Sequence, residues 1–230
     1  MKFIKKHPII FLVLLLDLII VILHLTLGGF SSFFHLDFEH NLPTLYQSAK
    51  LIAVGAVAAV VIWQLSLMKN LKRADIIFYS LFGAGFVFLG LDELGQLHEN
   101  VDYFVREVNP GYADAQLELL QSVGYRSSTW MVYYAPIMLA ASFYFVYAWK
   151  YIKDNIPKVK PAFLTMLVMF SLVIIFEFVS NQGYTDPGLY QIYITIEESA
   201  EMLGATAGLA VMLSPFMKNT QKIKKLIVKK

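Results

Sequence analysis

Five polar residues crowd the segment Leu91-Asp92-Glu93-Leu94-Gly95-Gln96-Leu97-His98-Glu99, and three acids fall in Ile196-Glu197-Glu198-Ser199-Ala200-Glu201-Met202-Leu203-Gly204. Both segments sit in stretches that are otherwise apolar. A carboxylate at the centre of a membrane helix costs roughly 2.5 to 3.5 kcal/mol on insertion scales. So many in two helices demand compensation. Adjacent carboxylates in a low-dielectric space raise one another's pKa values, so either a cation is bound or protons are shared. The oxygen-rich set suits Mg²⁺, Mn²⁺ or Ca²⁺ and, with histidine, Fe or Zn. The candidate metal ligands are therefore Asp92, Glu93, His98, Glu99, Glu197, Glu198 and Glu201. Glu93 and Glu198 are the candidate catalytic carboxylates, and Gln96, Lys50, Glu177 and His24 support them. A divalent metal in such a site acts as a Lewis acid and activates water, with a spare glutamate as general base.

Spacing limits the chemistry. At about 100° per residue, Asp92, Gln96 and Glu99 fall within about 60° of one another, and Glu197, Glu198 and Glu201 repeat the pattern of Asp92, Glu93 and Gln96. His98 points about 140° away from Glu93, so the two serve one site only if the helix end distorts. Paired Glu-x-x-His motifs of dimetal carboxylate bundles are absent: Glu93 and His98 are five apart, and Glu198-x-x-Glu201 has no histidine. That disfavours a dimetal oxidase and leaves a hydrolytic or transferase site open.

The elements that must position these residues follow from composition. Of 230 residues, 57% are hydrophobic and 16% charged, which excludes a disordered chain and an ordinary soluble one. The absence of cysteine excludes a disulfide framework, a thiolate metal site and a cysteine nucleophile. The apolar residues fall in runs of about 20, the length that crosses a hydrocarbon core as a helix. The expected fold is all-α, one transmembrane domain over residues 1–230 with six spans: 8–27, 46–68, 75–98, 130–151, 162–180 and 190–214. Residues 100–129 form a loop between spans, with a short amphipathic helix over 114–122 as its expected content.

Charge sets the expected orientation. Sixteen of the 19 basic residues cluster at the start of the chain, in the second and fourth connections and in the tail 216–230. By the positive-inside rule both termini are cytoplasmic, the 100–129 loop is outside, and the protein is a multi-pass protein of the cell membrane. The basic tail suits contact with anionic lipid and implies no nucleic acid. Both acidic segments then lie in the outer half of the bilayer on antiparallel helices, the third and sixth spans, which are expected to pack together. Lys50, Arg126 and Glu177 taken singly read as snorkelling or ordinary interfacial ion pairs.

Three functions fit. The first is a metal-dependent enzyme acting at the outer leaflet on a lipid or lipid-linked substrate that arrives sideways through the membrane. The alternative is a cation- or proton-coupled transporter, which needs polar access from both sides, whereas the inner halves offer only Gln64, Ser66, Ser80, Thr165, Thr206 and Ser214. The third is a non-catalytic assembly subunit whose acids pair with a partner. Gly83, Gly85 and Gly90 stand mid-span with no preceding strand, so they read as close helix packing and not as a phosphate loop.

The run Leu91-Asp92-Glu93 to His98-Glu99, with Glu197-Glu198 to Glu201-Met202-Leu203-Gly204, resembles a pattern of uncharacterised bacterial multispan membrane proteins. That resemblance covers two spans and implies no activity. Leu91-Asp92-Glu93-Leu94 is also similar to a segment of alkaline ceramidases, but the paired late histidines of that superfamily's zinc site are missing here.

Overall fold

The computed structural model describes residues 8–36, 38, 40–122, 124, 130–180 and 186–228. Among them the chain is all helix: α1 (Pro8–Leu27), α2 (Leu42–Leu67), α3 (Arg73–Gly95), α4 (Leu97–Val108), α5 (Pro110–Ser122), α6 (Trp130–Asn155), α7 (Lys160–Ser180) and α8 (Pro187–Val228), with short 3₁₀ turns at Ser32–Phe34 and Pro157–Val159. Six helices are long and apolar enough to cross a membrane, all but α4 and α5. The basic start, Tyr125, Arg126 and the last two lysines lie outside the described residues.

Local chemistry starts and stops these helices. Asn41 caps α2 by accepting the Thr44 N–H at 3.1 Å, and Pro43 occupies the first turn, where its missing N–H costs nothing. Asp75 caps α3 by accepting the Lys72 N–H at 2.9 Å. Asp186 accepts the N–H groups of Gly188 and Leu189 at 2.8 and 3.2 Å and starts α8.

Contacts along the helices place them up and down in alternation. Gln47 and Gln64 of α2 meet Glu201 and Thr220 of α8, so these two run parallel. α3 runs against α2, because Gly83 meets Gly55 and Gly90 meets Ser48. Tyr134, Tyr144 and Tyr151 of α6 bond to Asp92, Phe78 and Asp75 in turn, which sets α6 against α3. α8 and α2 occupy the centre, with α1 and α7 packed on α8 and α3 on α2.

Lipid tails are as apolar as the side chains, so packing here depends on close approach and dispersion. Gly55 lets α3 in: a Cβ there would collide with Val87 and stand 2.8 Å from the Gly83 carbonyl. Gly208 of α8 lies under the Phe86 ring, which leaves no room for a side chain. Around these contacts Leu51, Val54, Val61, Phe78, Phe82, Phe163, Met166, Ile152 and Met212 are fully enclosed.

Four expectations change. The third span ends at Gly95, three residues short of His98, because Gln96 adopts the left-handed conformation (φ 51°, ψ 40°) and α4 starts afresh. The 100–129 loop carries two helices, since Leu97, Val101, Phe104 and Val108 share one apolar face of α4 ahead of the expected segment. The sixth helix does not end at 214: α8 continues to Val228 as 42 residues of helix, with Asn219 buried and Gln64 bonded to Thr220 at 2.9 Å. Finally, α3 does not pack backbone to backbone on α8. α2 lies between them, and the two meet through side chains such as Phe86 over Gly208.

Candidate active site

The break at Gln96 builds the site. A non-glycine residue in the left-handed region costs about 1 kcal/mol or more, so something must hold it there. Asp92 does. Its Oδ1 accepts the backbone N–H of His98 at 2.9 Å, its Oδ2 faces His98 Nδ1 at 3.0 Å, and the Gln96 N–H closes onto the Asp92 carbonyl. The distorted helix end thus brings His98 to Asp92, its neighbour on the far side of the turn.

With Oδ2 as acceptor, His98 carries its proton on Nδ1 and leaves Nε2 as the basic nitrogen. Burial pulls the imidazole down, but the bond to Asp92 and the charges of Asp92, Glu99 and Glu201 outweigh it. The result is a pKa above the ordinary 6.5. Tyr134 of α6 donates its hydroxyl to Asp92 Oδ1 at 2.7 Å, and the Trp130 ring stands edge-on to His98 with centroids 5.5 Å apart. Trp130 Nε1 donates to Glu177 of α7 at 2.7 Å.

From α8, Glu201 lies within electrostatic reach of Asp92, His98 and Lys50 and accepts a hydrogen bond from Gln47 Nε2 at 3.1 Å. Gln47 is 3% exposed, and its Oε1 has no hydrogen-bond partner among the described residues; buried Ser48 Oγ next to it is in the same condition. Unpaired buried acceptors are rare because each costs roughly 1 to 3 kcal/mol.

One turn deeper sits an ion pair. Lys50 Nζ donates to Asp17 Oδ1 at 2.6 Å and to the Met202 carbonyl at 2.9 Å, over the Tyr46 ring at 4.8 Å. Tyr46 and Thr206 hydroxyls each donate to Asp17 at 2.6 Å. Asp17 and Lys50 are 4% and 5% exposed, which corrects the reading of Lys50 as an interfacial snorkelling residue. The side chain is locked inward because one carboxylate and one carbonyl satisfy it there.

The expected ligand set separates. Asp92 bonds His98, and Glu201 influences both through space. Glu99 is exposed on α4, Glu197 is buried, and Glu93 and Glu198 are half-buried at the same end of the bundle. Among the described residues no three histidines, aspartates or glutamates are grouped to hold a metal ion, so the expected metal centre at Asp92, Glu93, His98, Glu99, Glu197, Glu198 and Glu201 is not supported. The reason is visible at Asp92, whose oxygens are taken by N–H and O–H donors. Gln96 serves as the turn. Glu177 joins through Trp130, and Lys50 through Glu201. His24 stands apart: Leu36 N–H donates to its Nδ1 at 3.2 Å, and its Nε2 bonds Thr195 at 3.2 Å beside a groove of about 500 Å³ between α1 and α8.

Asp17, Tyr46, Gln47 and Thr206 were not among the sequence candidates. Asp17 is the lone charge of α1 and Lys50 that of α2, and that pairing of opposite signs at similar depth was the available signal.

Six apolar spans around an inward-facing acid–base network define a multi-pass helical membrane protein. The chain belongs to the family described as a domain of unknown function, DUF8692, whose model matches residues 9–216. No curated protein matches it. Nor does any solved structure.

Proposed function

We propose that the protein is an enzyme of the cell membrane that performs acid–base chemistry on the polar end of a lipid or lipid-linked substrate. Charge distribution supports placing the α4–α5 end of the bundle outside and both termini in the cytoplasm. His98 Nε2 takes a proton from water or a lipid hydroxyl as its oxygen attacks the polar end of the lipid, Asp92 and Glu201 steady the imidazolium, and the imidazolium returns that proton to the departing oxygen as its bond breaks. Glu93 and Glu198, beside Asp92 and one turn before Glu201, serve as flanking carboxylates.

One observation carries this reading over transport. The polar network descends from Asp92 and His98 through Glu201 and Gln47 to Lys50 and Asp17, and there it stops. Beyond it Val54, Ala58, Phe82, Phe86, Leu209 and Met212 are buried in a continuous apolar layer. This layer separates the network from the Gln64–Thr220 and Tyr151–Asp75 groups at the other end, which suits a site that works from one leaflet; a through-route needs a continuous polar path.

The test is lipid turnover by purified protein in vesicles made from a total lipid extract, followed by mass spectrometry. Acid–base residues contribute about a hundredfold or more in rate, so Asp92→Asn and Glu201→Gln should lose product by that factor while remaining folded. A pH-sensitive dye inside the same vesicles reads flux. Proton or cation movement with no change in any lipid would overturn the enzyme reading in favour of a transporter.

A further inference from the structure

The two halves of α6 are packed differently. Its second half is fastened: Ala148, Tyr151 and Ile152 are buried, Tyr144 and Tyr147 donate to the carbonyls of Phe78 and Ala74 at 2.9 and 3.0 Å, and Tyr151 donates to Asp75 at 2.5 Å. From Trp130 to Phe143 no residue is buried, although this half covers Asp92 and His98. Two side-chain bonds that tie it to the rest of the bundle are Tyr134 to Asp92 and Trp130 to Glu177.

Within the loosely packed half stands Pro136. It has no N–H to offer the Val132 carbonyl and its ring crowds that turn, which is how proline makes a hinge in a helix. Beside Tyr134, the Tyr133 hydroxyl is enclosed with no hydrogen-bond partner among the described residues. An enclosed hydroxyl without a partner weakens the closed arrangement relative to one in which it is wetted.

We infer that residues 130–136 form a side door through which a hydroxyl-bearing membrane lipid reaches Asp92, the Tyr134 hydroxyl holding the lipid hydroxyl's place while the door is shut. Asp92 Oδ1 accepts an O–H from Tyr134 at 2.7 Å, so whatever displaces Tyr134 must donate in its stead or leave a buried carboxylate short of a partner. The lipid route follows from position, because Ala135 and Ile137 on the outer side of this half are exposed on a membrane-spanning helix. This assignment rests on the reading of Asp92 and His98 as the reaction centre and names the chemistry of what enters it.

The chain contains no cysteine, so Ala135→Cys on the door and Leu25→Cys on α1, both exposed, give a clean nitroxide pair for distance measurement in the full-length protein. In phosphatidylcholine vesicles one distance should dominate. Addition of 1,2-dioleoylglycerol should populate a second, longer one, and its methyl ether should not. Tyr134→Phe should raise the open population roughly tenfold without any added lipid, the effect of losing one hydrogen bond to a charged acceptor. Pro136→Ala should suppress the longer distance in every condition. A single distance unmoved by dioleoylglycerol and by Tyr134→Phe overturns the door, and equal opening by the methyl ether overturns the hydroxyl assignment. Opening is read without turnover, so a door that opens in a protein that transforms no lipid sinks the enzyme reading alone.

Discussion

Breaking the Asp17–Lys50 pair tests whether the interior network is a single unit. Asp17 receives three donors at 2.6 Å, from Lys50, Tyr46 and Thr206, and is 4% exposed. Removing one member of a buried pair leaves the other charged and unpartnered, which costs about 3 to 5 kcal/mol; replacing both with neutral residues is often close to neutral. Asp17→Asn and Lys50→Met singly should therefore each destabilise the bundle by several kcal/mol. The double variant should recover most of the loss, a coupling of about 3 kcal/mol or more. The assay is reversible unfolding in mixed detergent micelles, monitored by tryptophan emission, for all four corners of the cycle. Additive single effects, with the double variant as unstable as their sum, would refute the argument, because they would mean that the two charges are solvated independently.

Three further outcomes are expected. His98 should titrate above 6.5, read in a Trp63→Phe, Trp149→Phe background as the rise of Trp130 emission when the neighbouring imidazolium loses its proton; Asp92→Asn should lower the midpoint. Because the folded pKa is raised, the stability that His98 contributes is complete below 6.5 and disappears as pH rises through the folded value, so the unfolding midpoint should fall across that window in the wild type and flatten in Asp92→Asn. Gly208→Leu should abolish correct packing, since even a Cβ at that position collides with Phe86, whereas Gly85→Ala, with nothing within 4 Å, should be tolerated; gel-filtration profiles after heating distinguish the two.

The acidic segments were legible as a candidate site because charge inside a span is costly wherever the helix points. Which acids act together was not. Helical geometry places His98 away from Glu93, and the resolution, a left-handed turn at Gln96 stabilised by Asp92, depends on bonds between residues on both sides of the break. Similarly, a lone Lys50 reads as an interfacial residue until α1 supplies Asp17 and α8 supplies the Met202 carbonyl.

The number of candidate spans and the all-helical class follow from the chain alone, since a bilayer imposes length and polarity on each segment separately. Neighbours and rotation belong to the tertiary structure: α2 between α3 and α8, Asp92 joined to His98 and Tyr134, and Glu201 turned to Gln47. These depend on contacts between helices far apart in sequence. Hydrophobicity is nearly uniform around such helices, so the chain carries no periodic signal of which face meets which partner, and only close approach at residues such as Gly55 and Gly208 decides it.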